Sequence, residues 1–495
     1  MKTLEEYVLL LKEKNLVTET NLMDLTLGVG HISFDSKDVG PGTLFVCKGA
    51  HFKEEYLKEA LENGAFVYLS EKVHDVEGSH IIVNDVRKAM AYVADLFYDR
   101  IWENLKLVGI TGTKGKSTTA YYLKYIFDDY LKALNKPNSA ILSSIDNFDG
   151  VINEESHITT PETFILYKHF KNAADSGCGY LTMEVSSQGL KYDRTLGVRF
   201  DVGCFLNINE DHISDIEHSD FEDYISSKLR LFGQCKTACV NLESDEIDRV
   251  LAAAKASAPE IITFGLREEA DVYGNSITVN QDSISFRVKT RNFDEEFKIS
   301  MPGLFNVENA LAAIAACTVL SIPVSHIRRG LAAAKVGGRM EVVRSPGRPV
   351  VIIDYAHNKM SFEALFASTK KEFPGWGIHI VFGCPGYKAL GRRRELGEVA
   401  GRYAGKVYIT EEDAGEEPLS DICREIATHV EKSGCDYEII EDRLEAIGKA
   451  INSADEKTVI LITGKGRETR QKRGIYYIET KSDVEYVEEL IGVKI

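Results

Sequence analysis

Short apolar runs ending in Gly, Asp, Thr or Glu punctuate the chain after its first hundred residues, and helical spacing fills the intervals between them. The run "LKLVGI" just before Thr111 reads as a buried strand. A glycine-rich turn follows, and then Leu123, Ile126, Phe127, Tyr130, Leu131 and Leu134 recur at helical spacing. "YLTMEV" and "RFDVGCFLNI" continue the alternation of strand and helix, which predicts a mainly parallel sheet. "SISFRVKT", around 283–290, reads as an antiparallel insertion. From Gly338 onward the strands are "PVVIIDYAH", "IHIVFG", "KVYIT" and "TVILITGKG". Residues 1–103 mix short strands ("GTLFVC", "AFVYLS", "HIIVND") with helices. At 495 residues the chain exceeds one core. The expectation is an α/β protein of three domains, at 1–103, 104–337 and 338–495. Ligands of open α/β sheets sit at the carboxyl ends of the strands, so the polar tails of these runs are where chemistry is expected.

Composition narrows the function. The net charge is −17, with 59 basic and 76 acidic residues, which argues against a nucleic-acid partner. An acidic chain binds an anion only through local donors such as loops, helix starts and arginines. The nine cysteines form no C-x-x-C pair. Cys235 and Cys239 come nearest, and they read as buried thiols, consistent with a reducing compartment. "MKTLEEYVLLLKEKN" carries acids among its apolar residues and reads as a surface helix, not a signal peptide. "ALAAIAACTVLSIPV" from Ala310 is too short and too Ala-rich to span a bilayer. No membrane partner and a cytoplasmic location are therefore expected.

The turn "TGTKGKST", Thr111 to Thr118, is the sharpest chemical signal. Gly112 and Gly115 let backbone N–H groups close around phosphates at a helix start. Lys116 suits terminal phosphate charge, the Ser117 hydroxyl suits Mg²⁺, and Thr118 lies beside them. The residue five before Gly115 is Ile110, so the spacing is not that of the common P-loop. The competing reading is a tight strand–helix turn with a surface lysine.

This turn resembles the ATP loop of the Mur ligases, which build peptidoglycan peptides. Further matches follow in the family's order: "DSKDVGPGTLFVCKG" (35–49), "TTPE" (159–162), "MEVSSQGL" (183–190), "NINEDHISD" (207–215) and "YISSKLRLF" (224–232). "PGLFNVENALAA" (302–313), "GRMEVV" (338–343), "DYAHN" (354–358) and "GKGRE" (464–468) complete them. The resemblance implies an N-terminal UDP-binding domain, a central ATPase of P-loop type and a C-terminal Rossmann-like domain. "DSKDVGPGTLFV" with "TTPE" and "MEVSSQ" resembles the branch that joins the third amino acid to UDP-N-acetylmuramoyl-L-alanyl-D-glutamate. The implied partners are that UDP-muramoyl dipeptide and a free diamino acid, the implied cofactors ATP and Mg²⁺, and a monomer is expected.

Residue roles follow from the same resemblance. Mg²⁺ is assigned to the positions of Ser117, Glu184 and His212, and to Lys228 as a carbamate (N6-carboxylysine). With Lys116, the residues Lys228, Glu184 and His212 form the implied catalytic set. A carboxylate and an imidazole near a triphosphate also make a plausible Mg²⁺ shell on their own chemistry. For Lys228 the sequence alone favours a surface lysine on an amphipathic helix. ATP is assigned to Thr111, Gly112, Thr113, Lys114, Gly115, Lys116, Ser117 and Thr118. Asn306, Asn309, Arg339, Asp354 and His357 complete the implied nucleotide site, although Asn306 and Asn309 also suit helix capping. The muramoyl peptide is assigned to Ser36, Thr159, Thr160, Ser187 and Arg194.

The amino acid is assigned to Arg393, Asp413, Gly464 and Glu468. Family members that add meso-diaminopimelate carry Asp-Asn-Pro-Arg, whose arginine pairs with the distal carboxylate. This chain has "TEEDAGEEPLS" (410–420), without the arginine and rich in acids. A guanidinium fork suits a carboxylate and an acidic pocket suits an ammonium, so L-lysine is expected. The competing reading is a solvated acidic loop. Lys114, Gln188 and Arg467 also depart from the family's common Asn, His and His. The implied reaction passes through an acyl phosphate, for which no Ser-His-Asp set is expected; the alternatives are the same reaction with meso-diaminopimelate or another diamino acid, a different amino-acid ligase of the superfamily, or a non-catalytic nucleotide-dependent binding protein.

Overall fold

The computed structural model describes every residue except 50, 51, 157, 211, 212, 214–216, 281, 282, 494 and 495. Three sheets follow one another along the chain. The first holds β1 (Val17–Asn21), β2 (His31–Ser33), β3 (Thr43–Val46), β4 (Ala65–Ser70) and β5 (Ser79–Val83) in the order β1-β5-β4-β3-β2. Only β1 runs antiparallel to its neighbour.

The second sheet has eleven strands. They are β6 (Lys106–Thr111), β7 (Ala140–Leu142), β8 (Asp146–Phe148), β9 (Asn153–Glu155), β10 (Tyr180–Glu184) and β11 (Phe200–Phe205). β12 (Cys235–Asn241), β13 (Glu260–Gly265), β14 (Val272–Asn280), β15 (Ser283–Lys289) and β16 (Asp294–Ile299) complete it. The order is β16-β15-β14-β13-β12-β11-β6-β10-β7-β8-β9. From β14 to β7 every pair is parallel, and both margins are antiparallel ribbons. "SISFRVKT" is thus β15, as expected antiparallel, but it extends the main sheet instead of interrupting it. The central strands are covered on both faces, so β11 is buried at every position and reads as a continuous apolar run.

The third sheet holds β17 (Glu341–Val343), β18 (Val350–Asp354), β19 (Gly377–Phe382), β20 (Lys406–Ile409), β21 (Asp436–Ile439) and β22 (Thr458–Thr463), ordered β17-β18-β22-β19-β20-β21. All but β17 are parallel to their neighbours. A separate hairpin of β23 (Arg470–Arg473) and β24 (Tyr476–Glu479) follows.

The cores cross the sequence boundaries. One buried cluster runs from Leu4 and Tyr7 through Met90 and Val93 to Phe170 and Leu181, so the N-terminal unit shares apolar contacts with the central one. The Ala-rich segment forms the helix Phe305–Val319, buried on nearly every side within the central core. No helix among the described residues is long and apolar enough to cross a membrane. Eight of the nine cysteines are buried free thiols, and Cys435 is half-buried.

Close helix packing fixes the helix Lys116–Ala133 that follows the glycine-rich turn. Gly330, in the helix Val324–Ala333, lies against the backbone of Ile126, where an added Cβ would stand 2.4 Å from Ile126 Cα. Gly330→Ala therefore forces the helices apart, and it is expected to cost about 1–3 kcal/mol despite alanine's better helix propensity. A lowered thermal midpoint tests this, and an unchanged one contradicts the packing.

Candidate active site

β6 lies between β11 and β10, so three parallel strands deliver their carboxyl ends to one edge. β6 ends at Thr111 and the chain turns through Gly112–Gly115 into the helix Lys116–Ala133. Gly115 is the N-cap at φ +85°, and a Cβ there would stand 2.1 Å from Asn309 Oδ1. Only glycine meets both demands. Asn207, just beyond β11, clamps the loop from both sides. Its Oδ1 accepts from Lys114 N at 2.9 Å and its Nδ2 donates to Lys114 O at 3.1 Å.

Two lysines converge on this loop. Lys116 Nζ donates to Gly112 O at 2.9 Å and to Thr113 O at 3.3 Å. Lys228 Nζ donates to the same Gly112 oxygen at 3.0 Å. Lys228 is only 2 % exposed and lies 4.7 Å from the centre of the Tyr224 ring, so it is not the surface lysine that its helix pattern favoured.

Glu184 closes β10 and is buried. Its Oε1 accepts from Ser144 N at 2.8 Å and Ser144 Oγ at 3.2 Å. Ser144 Oγ is also 3.1 Å from Ser117 Oγ, so the loop serine and the strand carboxylate are joined through one hydroxyl. These oxygen donors suit a hard divalent cation such as Mg²⁺. His212, and Asp211 before it, lie outside the described residues.

The third domain completes the cleft. Thr113 to Thr118, Glu184 and Thr159 line a cavity of about 540 Å³ together with Asn306, Asn309, Arg339, Asp354, His357 and Glu468. Lys114 Nζ reaches 3.5 Å from His357 Nε2, so this departure from the family's asparagine spans the two domains. Met340 N donates to Asp354 Oδ2 at 2.9 Å, and burial pushes that carboxyl above its ordinary range. Asn306 Nδ2 donates to Pro302 O at 2.6 Å, and Asn309 Nδ2 to Asn306 Oδ1 at 3.0 Å. The N-cap of their helix is Leu304, without a side-chain cap, so neither asparagine is a capping residue. One end of the cavity is apolar, with Phe264, Met301, Phe305 and Leu365.

A second cavity of about 330 Å³ shares Ser144, Ser156, Arg339, Tyr355 and Glu468 with the first. Asp413, Lys465, Arg467 and Arg470 also line it. The acidic run is used differently from the open ammonium pocket that its sequence suggested. Glu411 pairs with Arg473 at 2.5 Å, Asp413 with Lys465 at 3.0 Å and Glu417 with Arg393 at 2.6 Å. Burial raises the Glu412 carboxyl to about 7, and it packs against Gly464. Only Asp413 of these acids lines the second cavity. Arg393 lines neither cavity. It is buried, holding Glu417, Glu425 at 2.8 Å and Pro385 O at 3.3 Å.

Of the residues assigned to the muramoyl peptide, Thr160 and Arg194 are linked to the Glu184 backbone. Thr160 Oγ1 donates to Glu184 O at 3.0 Å and Arg194 Nη1 donates to Thr160 O at 3.0 Å. Arg194 also pairs with Glu162 at 2.6 Å, and Lys48 of the N-terminal domain meets the same carboxylate at 2.5 Å. Burial opposes the Glu162 charge, yet these two cations hold its carboxyl below the ordinary range. Ser187 bonds His218 at 2.9 Å. Ser36 lies apart in the N-terminal unit, donating to Glu59 at 2.5 Å.

Ser144, Asn207, Lys48 and His218 were not among the candidates read from the sequence. Ser144 had a signal, a polar pair after the apolar "AIL", had that short run been read as a strand. The other three act through contacts distant in sequence.

Comparison with known proteins agrees with this architecture. Residues 110–317 match the Mur ligase middle domain, and 338–466 match the Mur ligase glutamate ligase domain. The chain is 36% identical over 497 aligned residues to a UDP-N-acetylmuramyl-tripeptide synthetase of Lactobacillus delbrueckii subsp. bulgaricus, covering 96% of each chain. It is also 36% identical to a UDP-N-acetylmuramoyl-L-alanyl-D-glutamate--L-lysine ligase of Enterococcus faecalis, over 90% of this chain and 89% of that one. A solved UDP-N-acetylmuramoyl-L-alanyl-D-glutamate--2,6-diaminopimelate ligase shares the fold with a TM-score of 0.67, at 23% identity over 99% of both chains. The chain belongs to the Mur ligase family.

Gly115→Ala is expected to weaken nucleotide binding at least roughly ten-fold, because the left-handed turn and the Asn309 contact both fail. Calorimetric titration with ADP tests this, and wild-type affinity in a folded variant contradicts it.

Proposed function

We propose that the protein is an ATP-dependent ligase that adds the third amino acid, L-lysine, to UDP-N-acetylmuramoyl-L-alanyl-D-glutamate in the cytoplasm. The observation that carries this reading is the joined cleft. A glycine-rich loop, a strand-end carboxylate and a third-domain wall line one cavity, which shares five lining residues with a second that has charged walls.

The chemistry has two steps. A carboxylate oxygen of the D-glutamate residue attacks the terminal phosphorus of ATP, and ADP leaves. The amine of the incoming amino acid then attacks the acyl carbon, loses a proton, and expels phosphate as the amide forms. A free carboxylate resists an amine, whereas an acyl phosphate carries a good leaving group. The protein contributes placement and charge. Backbone N–H groups of Gly112–Ser117 and the Lys116 ammonium hold the phosphates. Asn306 and Asn309 meet the base side, while Arg339, Asp354 and His357 close on the nucleotide from the third domain. Thr159, Thr160, Ser187 and Arg194 hold the dipeptide, with Ser36 toward the uridine.

Ser117, Glu184, His212 and Lys228 as a carbamate would hold Mg²⁺, which supplies positive charge to the transferring phosphoryl group when bound. Carbamylation has a physical motive here. Lys116 and Lys228 both donate to one carbonyl oxygen, and turning one ammonium into a carbamate removes a like charge.

The preference for L-lysine rests on two guanidinium forks of the third domain. A second carboxylate, as in meso-diaminopimelate, calls for such a fork. Arg467 is already bound by Glu341, with contacts at 2.6 and 2.9 Å, and Arg393 by Glu417 and Glu425. Asp413 and Glu468 line the same cavity, each held by Lys465, so an incoming ammonium would take that lysine's place beside them.

ADP release is expected only with both the UDP-muramoyl dipeptide and an amino acid present, with L-lysine preferred over meso-diaminopimelate in a substrate panel. The opposite preference defeats the lysine assignment, and release without either substrate defeats the ligase assignment. Lys228→Ala is expected to abolish turnover, with partial rescue by a short carboxylic acid. Full activity in that variant removes Lys228 from the site.

A further inference from the structure

A hydrogen-bonded set that the two steps above leave unused lies on the dipeptide side of the cleft. His218 is fully buried. Its Nε2 is 2.9 Å from Ser187 Oγ and its Nδ1 is 3.1 Å from Asp223 Oδ2. Asp223 also accepts from Lys191 Nζ at 2.6 Å and from Ser219 N at 3.2 Å. Burial works against the Asp223 charge, yet these bonds and the one from His218 hold its carboxyl down at about 2. No Ser-His-Asp set was expected from the residues alone, and the fold assembles one.

In hydrolases the same three side chains activate the serine as a nucleophile. Here the acyl group is activated by phosphorylation, so a serine nucleophile has no step to perform. A different role follows from the proton count. An ionised carboxylate only accepts, so the Nδ1 of His218 carries a proton. In the singly protonated ring Nε2 accepts the Ser187 hydrogen, which fixes a hydroxyl rotor that otherwise samples several wells. The ring also sits edge-on to Tyr224, with centroids 5.2 Å apart and planes at 66°. The Tyr224 hydroxyl is 3.1 Å from Thr113 Oγ1 in the phosphate loop.

We propose that His218 is a positioning residue for the muramoyl dipeptide: it sets the Ser187 hydroxyl against the substrate and ties it, through Tyr224 and Thr113, to the phosphate loop. This rests on Ser187 as a dipeptide contact in the reading above. The role is one of geometry, because the ring is enclosed and Ser187 is the proposed dipeptide contact that it bonds. A glutamine at 218 preserves it in part, since one amide both accepts from Ser187 and donates to Asp223. A leucine fills the space and makes neither bond.

The test compares full-length His218→Leu, His218→Gln, Ser187→Ala and the Ser187→Ala/His218→Leu double variant with the wild type. ADP release is followed while the UDP-dipeptide, ATP and the amino acid are varied in turn, and thermal midpoints are recorded. His218→Leu is expected to raise KM for the UDP-dipeptide roughly ten-fold while KM for ATP stays within about two-fold. His218→Gln recovers most of that loss, and the double variant is no worse than the poorer single one. An equal rise in every KM, no recovery by glutamine, or additive losses in the double variant would reduce His218 to a packing residue. If His218→Leu does not fold, Asp223→Asn takes its place, and an unchanged dipeptide KM there overturns the proposal. An unchanged dipeptide KM in Ser187→Ala overturns it too, while dipeptide-dependent ADP release by the wild type leaves the ligase reading standing.

Discussion

Two lysine side chains, from helices more than a hundred residues apart, donate to the single carbonyl oxygen of Gly112. The rest of the site depends on that convergence. In a chain of net charge −17 it concentrates positive charge at the carboxyl edge of the central sheet. Such a concentration calls for an answering negative charge, whether a bound anion or the carbamate proposed for Lys228. The loop lines the same cavity as Glu184, which Ser144 holds from the adjoining strand.

The fold makes this convergence rigid. β6, β10 and β11 are packed on both faces, so their ends have little freedom. Asn207 then locks the loop to the end of β11, while Asn309 presses on Gly115 from the helix Phe305–Val319. The third domain is joined differently. Lys114 to His357 is a polar contact across the cleft, and Arg467 with Glu341 stiffens the start of the third domain through Gly338. A rigid loop facing a third-domain wall across these polar contacts suits the closure over a nucleotide proposed above.

Much of this was legible in the sequence, for physical reasons. Buried parallel strands must be apolar throughout, so β6, β10, β11, β18 and β22 were readable as runs. A tight strand-to-helix turn needs glycine where φ is positive, so the turn from Gly112 to Gly115 was readable as a motif. The strands β7 to β9 were not, since three residues are too few to show a period. Ser144 was lost with them. The acidic run at 411–417 was visible, but its partners were not. Arg473 and Lys465 reach it from 62 and 52 residues away, and composition cannot reveal that the charge is already matched. His218 was invisible for the same reason, because its bonds to Ser187 and Asp223 exist only once two helices and a loop have docked.

The central claim is that this cleft makes a carboxylate reactive by placing phosphate on it. The most direct measurement follows the oxygen. With both carboxylates of the D-glutamate residue labelled with ¹⁸O, turnover with ATP and the amino acid should deliver one labelled oxygen into each phosphate released. Phosphate free of label, with the amide formed all the same, would contradict an acyl phosphate and with it this account of the site.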